Sequence, residues 1–197
     1  MAHRDVLETP RLRIEPFGEA WLSERYVAWL NDPDVVRYSE NRHRRHTIES
    51  CREYLASFIG TPHYYWAIVT RSPGPCHIGN ITAYLTPEHG IADIGIMVGE
   101  KSSWGAGYGG EAWMAVCDYL LREVGVRKLT AGTLSVNRGM LSIMNRVGMQ
   151  SDGVRVAHYL IGGDAVDMVH AALFREAWLQ RFPRGPFEGK NIRHLSR

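Results

Sequence analysis

The stretch WGAGYGGEA at residues 104–112 decides the fold, because it combines a turn signal with the start of a helix. Four of its nine residues are glycine, and the apolar positions Ala112, Val116 and Leu120 then recur at helical spacing. The stretch therefore predicts a tight turn into a helix whose first N–H groups lack partners within the helix. Glycines let a ligand approach the backbone, and the positive end of the helix dipole favours anions, so this turn suits a pyrophosphate.

Glycines also occur in turns that bind no phosphate. A tight connection from a strand to a helix uses glycine for steric reasons alone. A Walker-type phosphate loop would end in Gly-Lys-Ser or Gly-Lys-Thr, but this turn continues with Gly110-Glu111. A dinucleotide-binding fold would place the turn after the first strand of a parallel sheet, whereas several strand-like runs precede it here. The two nucleotide-binding alternatives are therefore excluded.

The segments before the turn predict a meander of antiparallel strands. Alternation of apolar and polar residues indicates a strand at 12–17, and helical spacing follows at 21–30. Thr47 and Ser50 are typical of a helix start, and that helix should end near residues 60–62. Runs at 65–70, 77–85 and 91–98 read as strands, because proline-containing and glycine-containing turns separate them.

The segments after the turn complete the predicted domain. We expect a strand at 128–134, a helix at 137–147 that Gly148 ends, and strands at 154–161 and 166–173. The fold class is thus α+β (mixed α/β), with a central, mostly antiparallel twisted sheet of about seven strands and about four helices. Residues 1–180 form this single domain, and residues 181–197 form a basic C-terminal tail.

Composition limits the classes of function. The 197 residues are 45% hydrophobic, enough for one substantial core, and the three cysteines are widely spaced, so we expect no disulfide framework and no metal site. Apolar runs stay well short of the ~18 residues that would span a membrane, so we expect a cytoplasmic protein with no membrane partner. The whole chain has a net charge of +2, and the tail alone has a net charge of +4. The residues before the tail therefore have a net charge of −2, which does not favour a nucleic-acid partner.

Two blocks of the sequence resemble a known family. The run ADIGIMVG at 92–99, followed by residues 104–112, resembles the acyl-CoA signature of the GNAT superfamily of N-acetyltransferases, Gln/Arg-x-x-Gly-x-Gly/Ala. Trp104 stands at the first position of the signature, and Gly107 and Gly109 match its glycines. The block NRGMLSIMNRVGM at 137–149 resembles the family's asparagine-led helix. Within the superfamily, the sequence resembles the branch of ribosomal-protein N-terminal and nucleotide-linked aminosugar acetyltransferases.

The resemblance implies acetyl-CoA as donor substrate and a GNAT-like sheet whose strands splay at the acyl-CoA site. Asn137 would bond the pantetheine arm or the substrate amide, and a backbone N–H near Met97 or Val98 would bond the acetyl carbonyl. The implied acyl-CoA-binding residues are Met97, Val98, Trp104, Gly105, Ala106, Gly107, Tyr108, Gly109, Asn137 and Arg146.

Acyl transfer to an amine needs a neutral amine, a polarised thioester carbonyl and a stabilised thiolate. Asp93 is the candidate general base, since relatives often carry Glu at this position, although it can equally be a solvent-facing strand residue. Met144 stands where many relatives have an acidic tyrosine, and it cannot donate a proton. Ser135, Tyr159 and His158 are alternative acids, or the thiolate leaves without one, because a thiol is a good leaving group.

The charged segment 37–46 corresponds by resemblance to part of the acceptor wall. Its candidate acceptor-binding residues are Tyr38, Glu40, Arg42, His43, Arg44 and Arg45. Arginines pair bidentately with phosphate, which suits a nucleotide-linked aminosugar, whereas the alternatives are a solvated loop or a site for the 3′-phosphate of CoA. An N-terminal amine of a protein or peptide is the second acceptor class, and a cationic polyamine would be repelled. A non-catalytic acyl-CoA-binding regulatory module and a homodimer also stay open.

Overall fold

The computed structural model describes residues 5–188, and one sheet of eight strands forms the centre of this region. In chain order the strands are β1 (Leu7–Glu8), β2 (Leu12–Pro16), β3 (Tyr64–Thr70), β4 (Cys76–Thr86), β5 (Ile91–Val98), β6 (Lys128–Leu134), β7 (Gln150–Ile161) and β8 (Asp164–Phe174). The α-helices are α1 (Glu24–Leu30), α2 (Ile48–Ala56), α3 (Tyr108–Asp118), α4 (Arg138–Val147) and α5 (Arg175–Arg181). The predicted mixed α/β fold is confirmed, with one more strand and one more helix than expected.

The sheet opens between β5 and β6. Its strands lie in the order β1-β2-β3-β4-β5-β6-β8-β7, and every neighbouring pair is antiparallel except β5 and β6. These two parallel strands pair only where Ile91, Ala92 and Asp93 face Lys128, Leu129 and Thr130. Strand β5 stays paired with β4 as far as Val98, so from Ile94 onward its other edge is free of β6. The predicted splaying of the strands is confirmed at this point.

Helices cover both faces of the sheet. The larger core packs α3, α4 and α5 on one face, where Trp66, Trp113 and Trp178 are fully buried. The smaller core packs α1 and α2 on the other face against Tyr65 and Ala67. Because β3 lies between the two cores, all seven of its residues are buried. This explains why β3 is a continuous apolar run rather than an alternating one.

Local capping fixes the helix ends. A reciprocal pair of bonds between Thr47 and Ser50 starts α2, as the sequence predicts, with Ser50 N–H donating to Thr47 Oγ1 over 3.2 Å. Helix α2 ends at Ala56, earlier than predicted, and residues 57–60 form turns. Gly148 ends α4 with a φ of 84°, a left-handed conformation that favours glycine.

The predicted tail begins inside α5, which extends to Arg181. Beyond the helix, Phe182 and Phe187 pack against the larger core, and Arg122 Nη2 donates to the Phe182 carbonyl over 2.6 Å. The described part of the tail is therefore docked on the domain, while residues 189–197 lie outside the described residues. None of the helices described is long and apolar enough to cross a membrane.

Candidate active site

The glycine turn is shaped by two residues in the left-handed region. Gly105 has a φ of 75° and Gly107 a φ of 83°, and other residues adopt these values only with strain. Gly107 precedes α3 directly, and no described side chain caps the first turn of this helix. The first N–H groups of α3 therefore face outward without a protein partner, as an anion-binding turn requires.

Arg11, a residue that the sequence did not single out, fixes this turn from outside. Its Nε donates to Glu111 Oε2 over 2.6 Å and its Nη1 donates to the Ala106 carbonyl over 2.8 Å. The guanidinium also lies over the Tyr108 ring, 4.5 Å from the centroid. Thr9 Oγ1 donates to the same Glu111 carboxylate over 2.6 Å. Thr9 and Arg11, just before β2, thus contact the glycine turn at three places: the Ala106 carbonyl, the Tyr108 ring and the Glu111 carboxylate.

A cavity of about 920 Å³, which we call the main cavity, runs from the glycine turn to the open edge of β5. Nine of the ten predicted acyl-CoA-binding residues line it: Met97, Val98, Trp104, Gly105, Gly107, Tyr108, Gly109, Asn137 and Arg146. Ala106, the tenth, contributes instead the carbonyl that accepts from Arg11. Thr133 and Ser142, which the sequence did not indicate, line it as well.

Main-chain direction along β5 separates Val98 from Met97. Gly99 N–H donates to the Ile78 carbonyl of β4 over 2.9 Å, and alternate residues of a strand direct their main-chain groups to the same side. Met97 therefore points its N–H toward β4, whereas Val98 points its N–H and carbonyl toward the open edge. Trp104 Nε1 confirms this direction by donating to the Val98 carbonyl over 2.8 Å. Of the two predicted residues, Val98 has its N–H at the open edge.

Asn137 and Arg146 approach the main cavity from α4. The Asn137 amide donates to Thr133 Oγ1 over 3.0 Å, and its Oδ1 accepts from the Met140 N–H over 3.2 Å, so Asn137 caps the helix. The amide has a second N–H that it can offer to a ligand. Arg146 Nη1 lies 3.8 Å from the point that a Cβ on Gly110 would occupy, which places a cation beside the start of α3.

A family comparison agrees with this geometry. The acetyltransferase (GNAT) domain model matches residues 11–150 of the chain, which include the glycine turn, β5 and α4. The chain belongs to the GNAT acetyltransferase family. Among curated protein sequences, none matches this acetyltransferase at a significant level.

Solved structures of other acetyltransferases share the fold. A GNAT-family acetyltransferase from Bacillus anthracis superposes with a TM-score of 0.73 at 20% identity, over 87% of this chain and 99% of that one. Spermidine N-acetyltransferase from Vibrio cholerae, in complex with CoA and spermine, gives 0.76 at 14% identity, over 85% and 98%. RimL, a ribosomal L7/L12 alpha-N-protein acetyltransferase in complex with CoA, gives 0.73 at 15% identity, over 86% and 97%. At these identities the likeness shows the fold alone.

Asp93 lies where the two parallel strands of the acetyltransferase part. It is the last β5 residue paired with β6, and Thr130 Oγ1 donates to its Oδ2 over 2.7 Å. Although the side chain reaches solvent, partial desolvation raises its pKa, against the lowering effect of the Thr130 hydrogen bond and of His170. Asp93 lines neither the main cavity nor the two smaller cavities described below.

The predicted acids Ser135, Tyr159 and His158 do not line the main cavity of the acetyltransferase. Ser135 follows β6 and donates its backbone N–H to Asp167, and Tyr159 lies in β7 with its ring 4.8 Å from that of His158. Met144 is 3% exposed and packs in the larger core. Within residues 5–188, no group of three histidine, cysteine or acidic side chains is placed to hold a metal ion.

A second cavity, of about 550 Å³, lies between α1, α2 and the middle of β4 and β5. We call it the acceptor cavity, after the role that we propose for it. It shares Gly95, Ile96 and Met97 with the main cavity, so the two meet along β5. Arg44 and Arg45 line it, and Glu53 is its one lining carboxylate. The same part of β5 is thus accessible from two directions.

The predicted acceptor residues divide among three places. Tyr38 lines the main cavity, and Arg44 lines the acceptor cavity. Arg42 and His43 line a third cavity of about 470 Å³, which lies beside the tip of the β7–β8 hairpin and which Arg44 and Arg45 also line. Glu40 lines none of the three and pairs with Arg42 over 2.9 Å. Arg42 also donates to the Ser39 carbonyl over 2.9 Å, so its guanidinium holds the loop together.

Proposed function

We propose that this acetyltransferase moves an acetyl group from acetyl-CoA directly to a primary amine. The observation that carries the proposal is the main cavity, which connects the uncapped glycine turn to the open edge of β5. The turn fits a pyrophosphate and the edge fits a thioester carbonyl, so one extended ligand with both groups would fill the cavity.

The residues of the chain divide the work as follows. The N–H groups at the start of α3, with Arg146 beside them, would bind the pyrophosphate, and Asn137 would bond the pantetheine arm. The Val98 N–H would donate to the acetyl oxygen and stabilise the charge that develops there. Asp93 would take the amine proton through water, and the thiolate leaves as a good leaving group without a dedicated acid.

The acceptor that we propose is a nucleotide-linked aminosugar. Arg44 and Arg45 support it, because both are exposed and neither forms an ion pair within residues 5–188. With Glu53 as the one carboxylate, the acceptor cavity has a net positive lining, and guanidinium groups bind phosphate bidentately. An anionic amine is therefore favoured over a cationic one. Spermidine, the acceptor named for one structural neighbour, would meet repulsion here.

An acceptor screen tests the proposal. Thiol release from acetyl-CoA is measured with nucleotide-linked aminosugars, with peptides that have free N-termini and with spermidine. We expect the aminosugars to react best, and the double variant Arg44→Ala/Arg45→Ala to raise their KM about tenfold or more while the KM of acetyl-CoA changes little. The control is Arg52→Ala, an exposed arginine of α2 that lines none of the three cavities.

Two results would contradict the proposal. If peptides with free N-termini are the preferred acceptors, the proposed aminosugar is wrong, but acetyl transfer to an amine still stands. CoA binding without turnover of any amine would instead indicate a non-catalytic acyl-CoA-binding module.

The base assignment has its own test. Asp93→Asn should lower kcat about a hundredfold, the scale of general-base catalysis. Because the pKa of Asp93 is raised and the base must be ionised, the wild-type rate should fall as the pH drops through that pKa, and the variant should lose this acidic limb. Asp152→Asn, which changes a carboxylate of the outer strand β7, serves as control. Wild-type turnover and an unchanged acidic limb in Asp93→Asn would show that the base lies elsewhere.

A further inference from the structure

The third cavity, which we call the hairpin cavity, is built from three separate parts of the chain. The end of α1 with its following turn contributes Leu30, Asn31 and Pro33, the loop 36–45 contributes its basic side chains, and the hairpin tip contributes Leu160, Ile161 and Gly162. Arg42 Nη2 lies 3.5 Å from the Leu160 carbonyl and joins the loop to the hairpin. At about 470 Å³ the cavity has the size of a site for a small molecule or for a large part of one.

The ionisable side chains that line the hairpin cavity are four arginines and one histidine, and none is a carboxylate. They are Arg37, Arg42, His43, Arg44 and Arg45. Arg37 and Arg42 are neutralised by Asp34 and Glu40, at 2.8 and 2.9 Å. Two cations, Arg44 and Arg45, therefore remain without a compensating carboxylate among the described residues.

Arg44 and Arg45 also form the boundary between two cavities. Together with Leu30 they line both the hairpin cavity and the acceptor cavity. A phosphate group at this arginine pair would thus lie between a space that leads to β5 and a space that leads to the hairpin. One ligand can have its amine on the first side and a further group on the second.

The hairpin cavity is also lined by apolar residues. Its apolar residues are Leu30, Pro33, Val36, Leu160 and Ile161. Leu160 is 63% exposed, an unusual state for a large aliphatic side chain beside a concave site. Apolar walls next to an unpaired arginine pair suit a flat ring that is attached to phosphates.

We propose that the hairpin cavity is a nucleoside diphosphate subsite, with the phosphates at Arg44 and Arg45 and the base against Leu160 and Ile161. The inference rests on the proposed function, because it assigns the end of the acceptor that is remote from the reacting amine. It makes the β7–β8 hairpin a determinant of acceptor specificity.

Titration calorimetry on the full chain tests this subsite. The protein is first saturated with CoA, so that the glycine turn is occupied, and is then titrated with uridine diphosphate and with adenosine diphosphate. We expect saturable binding of at least one of them, weakened tenfold or more both by Arg44→Ala/Arg45→Ala and by Leu160→Asp. Among the three cavities Leu160 lines the hairpin cavity only, and its exposure means that the Asp variant should fold. Arg52→Ala should bind as the wild type does.

Inhibition kinetics separate the remaining outcomes. The bound diphosphate should compete with the amine acceptor and not with acetyl-CoA. No saturable binding of either diphosphate, binding that survives Leu160→Asp, or inhibition that is not competitive with the acceptor would overturn the subsite. Acetyl transfer to peptides without diphosphate binding would overturn the subsite but not acetyl transfer. Diphosphate binding without turnover of any amine would support the subsite but overturn acetyl transfer.

Discussion

Arg11 shows how one side chain can organise a ligand-binding turn without belonging to it. Its guanidinium fork donates to Glu111 and to the Ala106 carbonyl and lies over the Tyr108 ring. A planar group with several fixed donors can satisfy all three contacts at once, which a lysine ammonium cannot. The position of the α3 amides therefore depends on a residue that precedes β2.

Replacing Arg11 should weaken the donor site. We expect Arg11→Ala to raise the KM of acetyl-CoA about tenfold, because a charge-assisted contact and the stacking over Tyr108 are lost together. The side chain is 45% exposed, so the melting temperature should change little. Arg11→Lys should recover only part of the affinity, and Arg13→Ala, an exposed arginine of β2, serves as control. An unchanged KM in Arg11→Ala would mean that the turn keeps its shape unaided.

At the scale of single residues, the sequence predicted what depends on local geometry. Gly105 and Gly107 have the left-handed conformations that a glycine-rich turn suggests. Arg11 escaped prediction because its partner Glu111 lies 100 residues away. The sequence could not decide between Met97 and Val98, since that choice depends on the register between β4 and β5.

The open edge of β5 depends on a close approach of β4 from its other side. A Cβ on Gly79 would lie 2.2 Å from the Met97 carbonyl oxygen and 2.9 Å from Val98 Cα. Both neighbours are backbone atoms, so relief requires a shift of the strand itself. Gly79 is thus the residue that lets β5 hold its N–H groups at their present place.

Gly79→Ala should therefore impair both stability and catalysis. Displacement of Val98 should lower kcat/KM at least tenfold, and overpacking on the scale of about 1–3 kcal/mol should lower the melting temperature by several degrees. Gly18→Ala is the matched control, because a Cβ there has no neighbour within 4 Å. A Gly79→Ala protein with a lower melting temperature but a wild-type kcat/KM would show that Gly79 contributes to stability and not to catalysis.

Secondary structure elements with a strong local signal were predicted, and those that depend on tertiary contacts were not. The bonds between Thr47 and Ser50 start α2 as expected, whereas the predicted end of that helix was wrong by several residues. Helix α5 buries only Trp178, so its sequence has no series of apolar positions at helical spacing. The order of β6, β8 and β7 in the sheet has no signal in the sequence at all.

At the scale of the whole molecule, the smaller core contains a buried histidine. His77 is 8% exposed, and its ring lies 5.0 Å from those of Trp21 and Trp29 and near that of Tyr26. Desolvation lowers its pKa to about 4, against a backbone hydrogen bond at Gly79, and the nearby Arg25 lowers the pKa further. No described residue bonds its Nε2. The core that supports the acceptor cavity therefore tolerates His77 only as the neutral form.

This histidine should make folding sensitive to acid. The pKa of His77 is lower in the folded chain than the ~6.5 of the unfolded chain, so the unfolded state binds more protons in that window. The free energy of unfolding should be undiminished by His77 above pH ~6.5 and fall by up to about 3 kcal/mol as the pH approaches 4. Urea unfolding at several pH values gives the free energy of unfolding as a function of pH. Between pH 6.5 and 4 this free energy should fall less for His77→Phe than for the wild type. An equal fall in both proteins would show that His77 is not the cause.

The positions of the main and acceptor cavities have a consequence for the order of events. One cavity lies against α3 and α4 and the other against α1 and α2, and they share only a short part of β5 and the adjoining loop. Neither ligand has to pass through the space of the other. If the two cavities bind donor and acceptor as we propose, the two ligands would arrive and depart independently, and spent CoA would be exchanged while an acceptor still occupies its own side of the sheet.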